Sequence, residues 1–298
     1  MLQTSEILKL INGDGPLPAP AKPEYMPIQT VTSAASFAKQ ISRLGVLDGD
    51  VILVHASVSS FEHIPGGTRS LMEGLLEAVG PSGTLVFPTL TGENSDPVRW
   101  KAPPVASQEI RRQILEATPP FDPLLSIPWK RVGQLPVMAV FWPDAVRSFH
   151  PQVSFTAVGR RAQDICGGLE ESLDHPLSQN GVLGRLYNAK ARVLFIGSGW
   201  KTCTALHLIE HLLYDPVPDD MCFEETSVIT RNGRRCYVSY KMFLQSTSDF
   251  EAIGERLEKT NPTAFRILPL PNNRRLVLFS MKEIIDQATP LMKASRGL

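Results

Sequence analysis

His207, Glu210 and His211 stand at relative positions i, i+3 and i+4 inside "CTALHLIEHLL". On a helix that spacing places all three side chains on one face, within reach of one ion or one reacting group. The pattern H-x-x-E-H is one in which two histidines hold zinc and the glutamate acts as general base of a metallopeptidase. Zinc also needs a further protein ligand and a water, and so short a pattern recurs by chance. Leu206, Leu208, Ile209, Leu212 and Leu213 flank the three residues, so a packed, structural histidine is the competing reading. Cys203, one turn before His207, offers a thiolate–imidazole pair, although cysteine is commonly buried and inert.

Two further groups of residues carry possible chemistry. In "VHASVSSFEHIPGGTRSLMEG" a strand runs through His55, Ser57 and Ser60 into Gly66-Gly67-Thr68 and a helix. Backbone N–H groups at such a turn suit phosphates or other anions. The lysine and spacing of a P-loop are missing, as is G-x-G-x-x-G, and Thr68 could equally be a plain N-cap. His150 and His175 each precede a proline in turn-rich segments, and Asp174 adjoins His175. Either histidine could position a ligand or bond to its own loop. No G-x-S-x-G supports a serine hydrolase.

The elements that must carry these groups follow from periodicity. "DVILVHASV" contains a continuous apolar run of the kind buried parallel strands show. "TRSLMEGLLEAVG" then has helical spacing and "GTLVFPTL" is strand-like, which together make a β-α-β unit. A long Pro-rich excursion follows, and loops of that length are usually functional. "ARVLFIGSG", "TSVITRNGRRCYVSY" and "RRLVLFS" read as strands, the middle one a hairpin turning at Asn232-Gly233. Helices are expected at "SAASFAKQISRLGV", "CTALHLIEHLL", "SDFEAIGERLEKT" and "SMKEIIDQATPLMKAS". The fold class is therefore α/β, a mixed sheet with flanking helices and long inserted loops. Residues 1–31, rich in proline and small residues, read as an N-terminal extension or short capping helix, and 32–298 as a single domain.

Composition narrows the function. The chain has 298 residues, 43% hydrophobic, with Lys and Arg totalling 30 against 30 Asp and Glu. Balanced charge without long runs leaves no footprint for nucleic acid. No apolar run approaches the ~20 residues of a membrane span, and the N-terminus lacks the basic start and apolar core of a signal peptide. A soluble cytoplasmic protein is expected, with no membrane partner. Cys166, Cys203, Cys222 and Cys236 form no C-x-x-C pair and read as reduced thiols.

Taken in order, "LGVLDGDVILVHASVSSF", "IPGGTRSLMEGLLEAVGPSGTLVFPTLT", "PPFDP", "VRSFHPQVSFTAVGRRA", "HPLSQNGVLGRLYNAKARVLFIGSGWKTCTALHLIEH" and "DFEAIGERLE" resemble the aminoglycoside 3-N-acetyltransferase family, whose fold differs from that of the GNAT acetyltransferases. The resemblance spans about residues 32 to 290. It implies acetyl-CoA as co-substrate, a primary amine as small-molecule acceptor (by resemblance the 3-amino group of a 2-deoxystreptamine aminoglycoside or a related amine), and transfer without a required metal. It assigns the T-x-L-H-x-x-E histidine, here His207, to the reaction centre and makes His211 incidental.

A protonated amine must lose a proton to attack a thioester, and an imidazole can accept it. Glu210, one turn on, is the nearest group to fix the ring, and His175 joins the catalytic candidates. Acetyl-CoA is expected along His55, Ser57, Ser60, Gly66, Gly67, Thr68 and Thr89. Glu93, Asp96 and Asp122, in or just after the "PTLTGEN" and "PPFDP" loops, are expected to pair with ammonium groups of the acceptor. Family members commonly place an acid after the late strand pair, whereas "VSYKMFLQSTSDF" has none before Asp249. Asp249, Gln245 or Glu210 could fill that place, or a decayed acetyl-CoA-binding homologue could lack it. The chain reads as monomer or homodimer.

Overall fold

Successive side chains of β1 (Val51–Ala56) point to opposite faces of a sheet, and apolar clusters cover both. Val51 and Leu53 enter one cluster, Ile52 and Val54 the other. A strand buried on both sides has no polar face to alternate with, which is why the sequence reads as an unbroken apolar run. The computed structural model describes residues 28–100, 104–169 and 173–298; most of the N-terminal extension lies outside them.

Around β1 the strands β2 (Thr84–Pro88), β3 (Val146–Arg147), β4 (Phe155–Gly159), β5 (Arg192–Ile196), β8 (Phe265–Leu270) and β9 (Arg274–Ser280) form a seven-stranded sheet in the order β3-β4-β2-β1-β5-β9-β8. β1 is parallel to β2 and β5, and the outer pairings are antiparallel. The sheet is mixed, as its sequence signals imply. One face packs on α1 (Ala34–Arg43), α2 (Thr68–Val79) and α4 (Gln134–Val140) through Phe37, Ile41, Leu71, Leu75 and Leu135. The other packs on α5 (Ala162–Cys166), α6 (Val182–Asn188), α7 (His207–Leu213), α8 (Phe250–Thr260) and α9 (Met281–Ser295). Residues Val31–Leu298 thus make one compact unit. No described helix is long and apolar enough to cross a membrane.

The turn between β5 and α7 places the helix that carries His207. Gly197 takes φ 63°, and a Cβ there would meet Ser60 Oγ at 1.7 Å, so only glycine fits. Trp200 follows, 1% exposed, its ring lying where a Cβ on Gly254 of α8 would stand, 2.0 Å away. Its indole N–H donates to Glu258 Oε1 at 2.8 Å, and Arg275 holds both Glu258 oxygens at 2.6 and 2.7 Å. The start of α7 is therefore pinned to both α8 and β9.

The two-stranded sheet is the hairpin of β6 (Cys222–Arg231) and β7 (Arg234–Phe243). Asn232 and Gly233 have φ of 52° and 70°, as a two-residue type I′ turn requires. The Pro-rich excursion contains α3 (Gln108–Ala117), capped by Ser107, and docks on the hairpin where the Phe121 N–H donates to the Val228 carbonyl at 2.8 Å. Buried Arg147 anchors it further, donating to the carbonyls of Pro123 at 3.2 Å and Thr89 at 2.9 Å.

Candidate active site

At the first turn of α7, His207 Nδ1 and Glu210 Oε2 are 2.6 Å apart. Glu210 is fully buried, and its other oxygen accepts from the Ser246 N–H at 3.0 Å and from Arg296 Nη1 at 2.7 Å. Burial works to raise the Glu210 carboxyl, but the hydrogen bonds from His207, the Ser246 N–H and Arg296 outweigh it, and the net shift is downward. An ionised Glu210 can only accept, so His207 carries its proton on Nδ1. In the neutral ring the lone pair then lies on Nε2, as a proton acceptor requires.

Two cavities meet α7 one turn apart. His207 lines the first, about 260 Å³, with His55, Ser198, Lys201, Thr202 and Arg131. Aliphatic and aromatic walls from Val54, Leu90 and Trp129 complete it, and the Arg131 guanidinium lies 4.6 Å from the Trp129 ring centroid. His211 lines the second, about 480 Å³, opposite His175, Asp174, Gln179, Tyr214 and Asp215. The His175 and His211 rings sit edge to face at 5.7 Å. Burial, then the neighbouring His175, press His211 down to about 4, so it is neutral at physiological pH.

Comparison with known proteins identifies the family. An aminoglycoside 3-N-acetyltransferase profile matches residues 53–293. Aminoglycoside N(3)-acetyltransferase IX of Micromonospora chalcea is 33% identical over 205 residues, 67% of this chain and 69% of that protein. The chain belongs to the aminoglycoside 3-N-acetyltransferase family. The crystal structure of YokD from Bacillus subtilis superposes with a TM-score of 0.80 at 26% identity, covering 89% of this chain and 94% of that one. A structure described as AAC-IIIb binary with CoASH shares the fold, with a TM-score of 0.76 at 24% identity over 89% and 98% of the two chains.

Membership in the acetyltransferase family corrects the zinc-peptidase reading of H-x-x-E-H, and the geometry gives the reason. Both Glu210 oxygens are committed to His207, Ser246 and Arg296, so the glutamate is no free base. His207 and His211 open into different cavities. Among the described residues no group of three or more His, Cys, Asp or Glu side chains converges as metal ligands. The Cys203 alternative falls too: burial pushes that thiol up to about 12, which removes the thiolate.

The structure distributes the other expected residues unevenly around the His207 cavity. Asp249 does not touch His207; it accepts two hydrogen bonds at 2.9 Å from Arg296, which bridges it to Glu210. Gln245 lies 3.4 Å from His211 Nε2. His55 lines the smaller cavity, 7% exposed and held neutral by burial at about 3. Ser57, Ser60, Gly66, Gly67, Thr68 and Thr89 do not line it. Ser57 Oγ bonds to Ser59 Oγ, Thr68 Oγ1 donates to Gln134, and Thr89 Oγ1 joins Ser154 and Thr156 inside the sheet.

On the acidic loops, Asp96 is buried against the Arg111 guanidinium of α3, while Asp122 accepts from the Leu124 and Leu125 N–H groups of its own turn. Glu93 is exposed. Asp174 accepts from the Lys241 N–H rather than supporting His175. His150 is structural: its Nδ1 accepts from Gln152 and Val153, its Nε2 donates to Leu173, and burial lowers it to about 4. Lys201, Arg131 and Thr202 lie in three-residue 3-10 turns and Ser198 in a loop, segments too short to leave a periodic signal in the sequence. The usable signal was the strand–glycine–hydroxyl–helix run "IGSGWKTCTALH".

Proposed function

We propose that this chain transfers the acetyl group of acetyl-CoA to a primary amine of an aminoglycoside or a related small amine, with His207 as general base. The observation that carries the reading is the His207–Glu210 pair on the wall of a cavity rimmed by Lys201 and Arg131. Those cations suit the phosphates of CoA, and the apolar walls suit the pantetheine arm that would bring its thioester to His207. The CoASH complex of a protein with the same fold supports the choice of donor, and the name of the Micromonospora chalcea relative supports the class of acceptor.

The reacting amine meets the thioester in the cavity that His207 lines, and the larger cavity one turn along α7 offers carboxylates to further ammonium groups of the acceptor. Asp174 and Asp215 each use one carboxylate oxygen on a partner, Lys241 N–H and Gln179 respectively, and offer the other to an ammonium group. As the amine nitrogen attacks the thioester carbonyl, its proton passes to His207 Nε2. The C–N bond forms, the C–S bond breaks, and His207 Nε2 returns the proton to the departing thiolate, which leaves as CoASH; the extra proton of an acceptor that arrives as an ammonium goes to solvent. Glu210 stabilises the imidazolium formed along the way.

The test is CoA release from acetyl-CoA in the presence of a panel of aminoglycosides and simpler amines. His207→Ala should lower turnover by about 10²–10⁴-fold, the range a positioned base contributes, and chelators should leave the wild type unaffected. Full turnover in His207→Ala would sink the assignment.

A further inference from the structure

Glu210 presents an electrostatic problem that its histidine partner does not solve. To act as the base His207 must start unprotonated, so the buried carboxylate needs another cation to stay ionised. Arg296, which caps α9, is placed to supply it. Its Nη1 donates to Glu210 Oε1 at 2.7 Å, Nε and Nη2 each reach an Asp249 oxygen at 2.9 Å, and Nη2 also donates to the Ser246 carbonyl at 3.0 Å. Ser246 in turn donates its N–H to Glu210 at 3.0 Å. The Arg296 side chain is 17% exposed and Asp249 11%.

We infer that Arg296 is a positioning residue of the transfer reaction, holding the Glu210 carboxylate that orients His207. The inference rests on the proposed role of His207 as base. It gives Asp249 a task at one remove, since Asp249 fixes the guanidinium and the guanidinium fixes Glu210. Without the cation, the Glu210 carboxylate would draw a proton onto His207, and a protonated His207 cannot accept one from the amine.

The surroundings of His207 leave Arg296 as the charged group in contact with Glu210. On its own helix stand Glu210 and His211, the latter neutral through burial. From β1 comes His55, likewise neutral. From α8 come the capping Asp249, already paired with Arg296, and Phe250, whose ring lies 4.9 Å from His207. Lys201 and Arg131 line the cavity on the other side.

The test titrates His207 by NMR and follows kcat/KM against pH in Arg296→Gln and Arg296→Lys. Removing the cation should raise the His207 pKa and carry the acidic limb of the rate profile upward by about one pH unit, since nearby charges shift pKa values by roughly 1–3 units. Lysine keeps the charge but not the forked geometry, so Arg296→Lys should hold the acidic limb in place while kcat falls. A His207 pKa unmoved in Arg296→Gln overturns the inference. If that variant does not fold, an unchanged kcat in Arg296→Lys overturns it alone. The NMR shift does not depend on turnover: a moved pKa in Arg296→Gln together with full activity in His207→Ala would refute the base assignment while leaving the Arg296–Glu210–His207 coupling intact.

Discussion

His207 pairs with a glutamate from its own helix, and i, i+3 spacing brings the two together without any tertiary requirement. That local geometry made the pair legible in the sequence, and it made a metal site equally easy to draw. What separates the two readings is the other side of Glu210, where Arg296 and Ser246 arrive from distant segments. Glu210→Gln keeps the shape and loses the charge. It should lower kcat by roughly ten- to a hundredfold, equivalent to about 1.5–3 kcal/mol for a hydrogen bond to a charged group, with the KM for acetyl-CoA little changed in steady-state kinetics. His211→Ala should act on the KM for the amine, because His211 lines the larger cavity and not the one that holds His207. A zinc ligand would instead lose activity outright.

Helix α7 is only seven residues long, so its placement depends on the turn before it and the helix beside it. Trp200 supplies both contacts by filling the space over Gly254. Gly254→Ala would push a methyl group into the indole ring and should destabilise the protein by about 1–3 kcal/mol, as overpacking does; urea unfolding measures it, and an unchanged midpoint would show that Trp200 has room to move. The sequence announced the long elements well. β1, the Asn232-Gly233 hairpin, α8 and α9 all stand where periodicity and turn chemistry put them. It did not announce β3 or β4, because β3 has two residues and β4 follows a His-Pro turn that dominates the local reading. The hydroxyls of Ser57 and Thr68 looked available for the same kind of reason: their bonding to Ser59 and Gln134 is decided by loop packing, which has no period in sequence.

Across the whole molecule, burial has fixed several histidines in the neutral form, which ties folding to pH. His55 and His150 titrate at about 3 and about 4 in the fold, against ~6.5 when unfolded. The unfolded chain therefore binds more protons below pH 6.5, and stability falls as pH drops from there towards the folded values. Each residue contributes a slope of up to about 1.4 kcal/mol per pH unit. Urea unfolding between pH 7 and 5 should show the decline, and His150→Asn should flatten it; an identical slope in that variant would contradict the assignment. Glu210 and Asp249 act in a lower window. Held below the ordinary carboxylate range, they add stability above pH ~4 that is lost as pH falls through their folded values.

The proposed reaction brings thioester and amine together beside His207, with the further ammonium groups of the acceptor towards His211. A crystal structure of the acetyl-CoA complex tests it most directly. The account predicts the pantetheine arm in the cavity lined by His55, Ser198 and Thr202, its phosphates near Lys201 and Arg131. The thioester carbonyl should lie beside His207, close enough for an amine placed about 3–3.5 Å from the carbonyl carbon to hand its proton to Nε2. A thioester lodged in the larger cavity among His175, Tyr214 and Asp215, out of reach of His207, would contradict it.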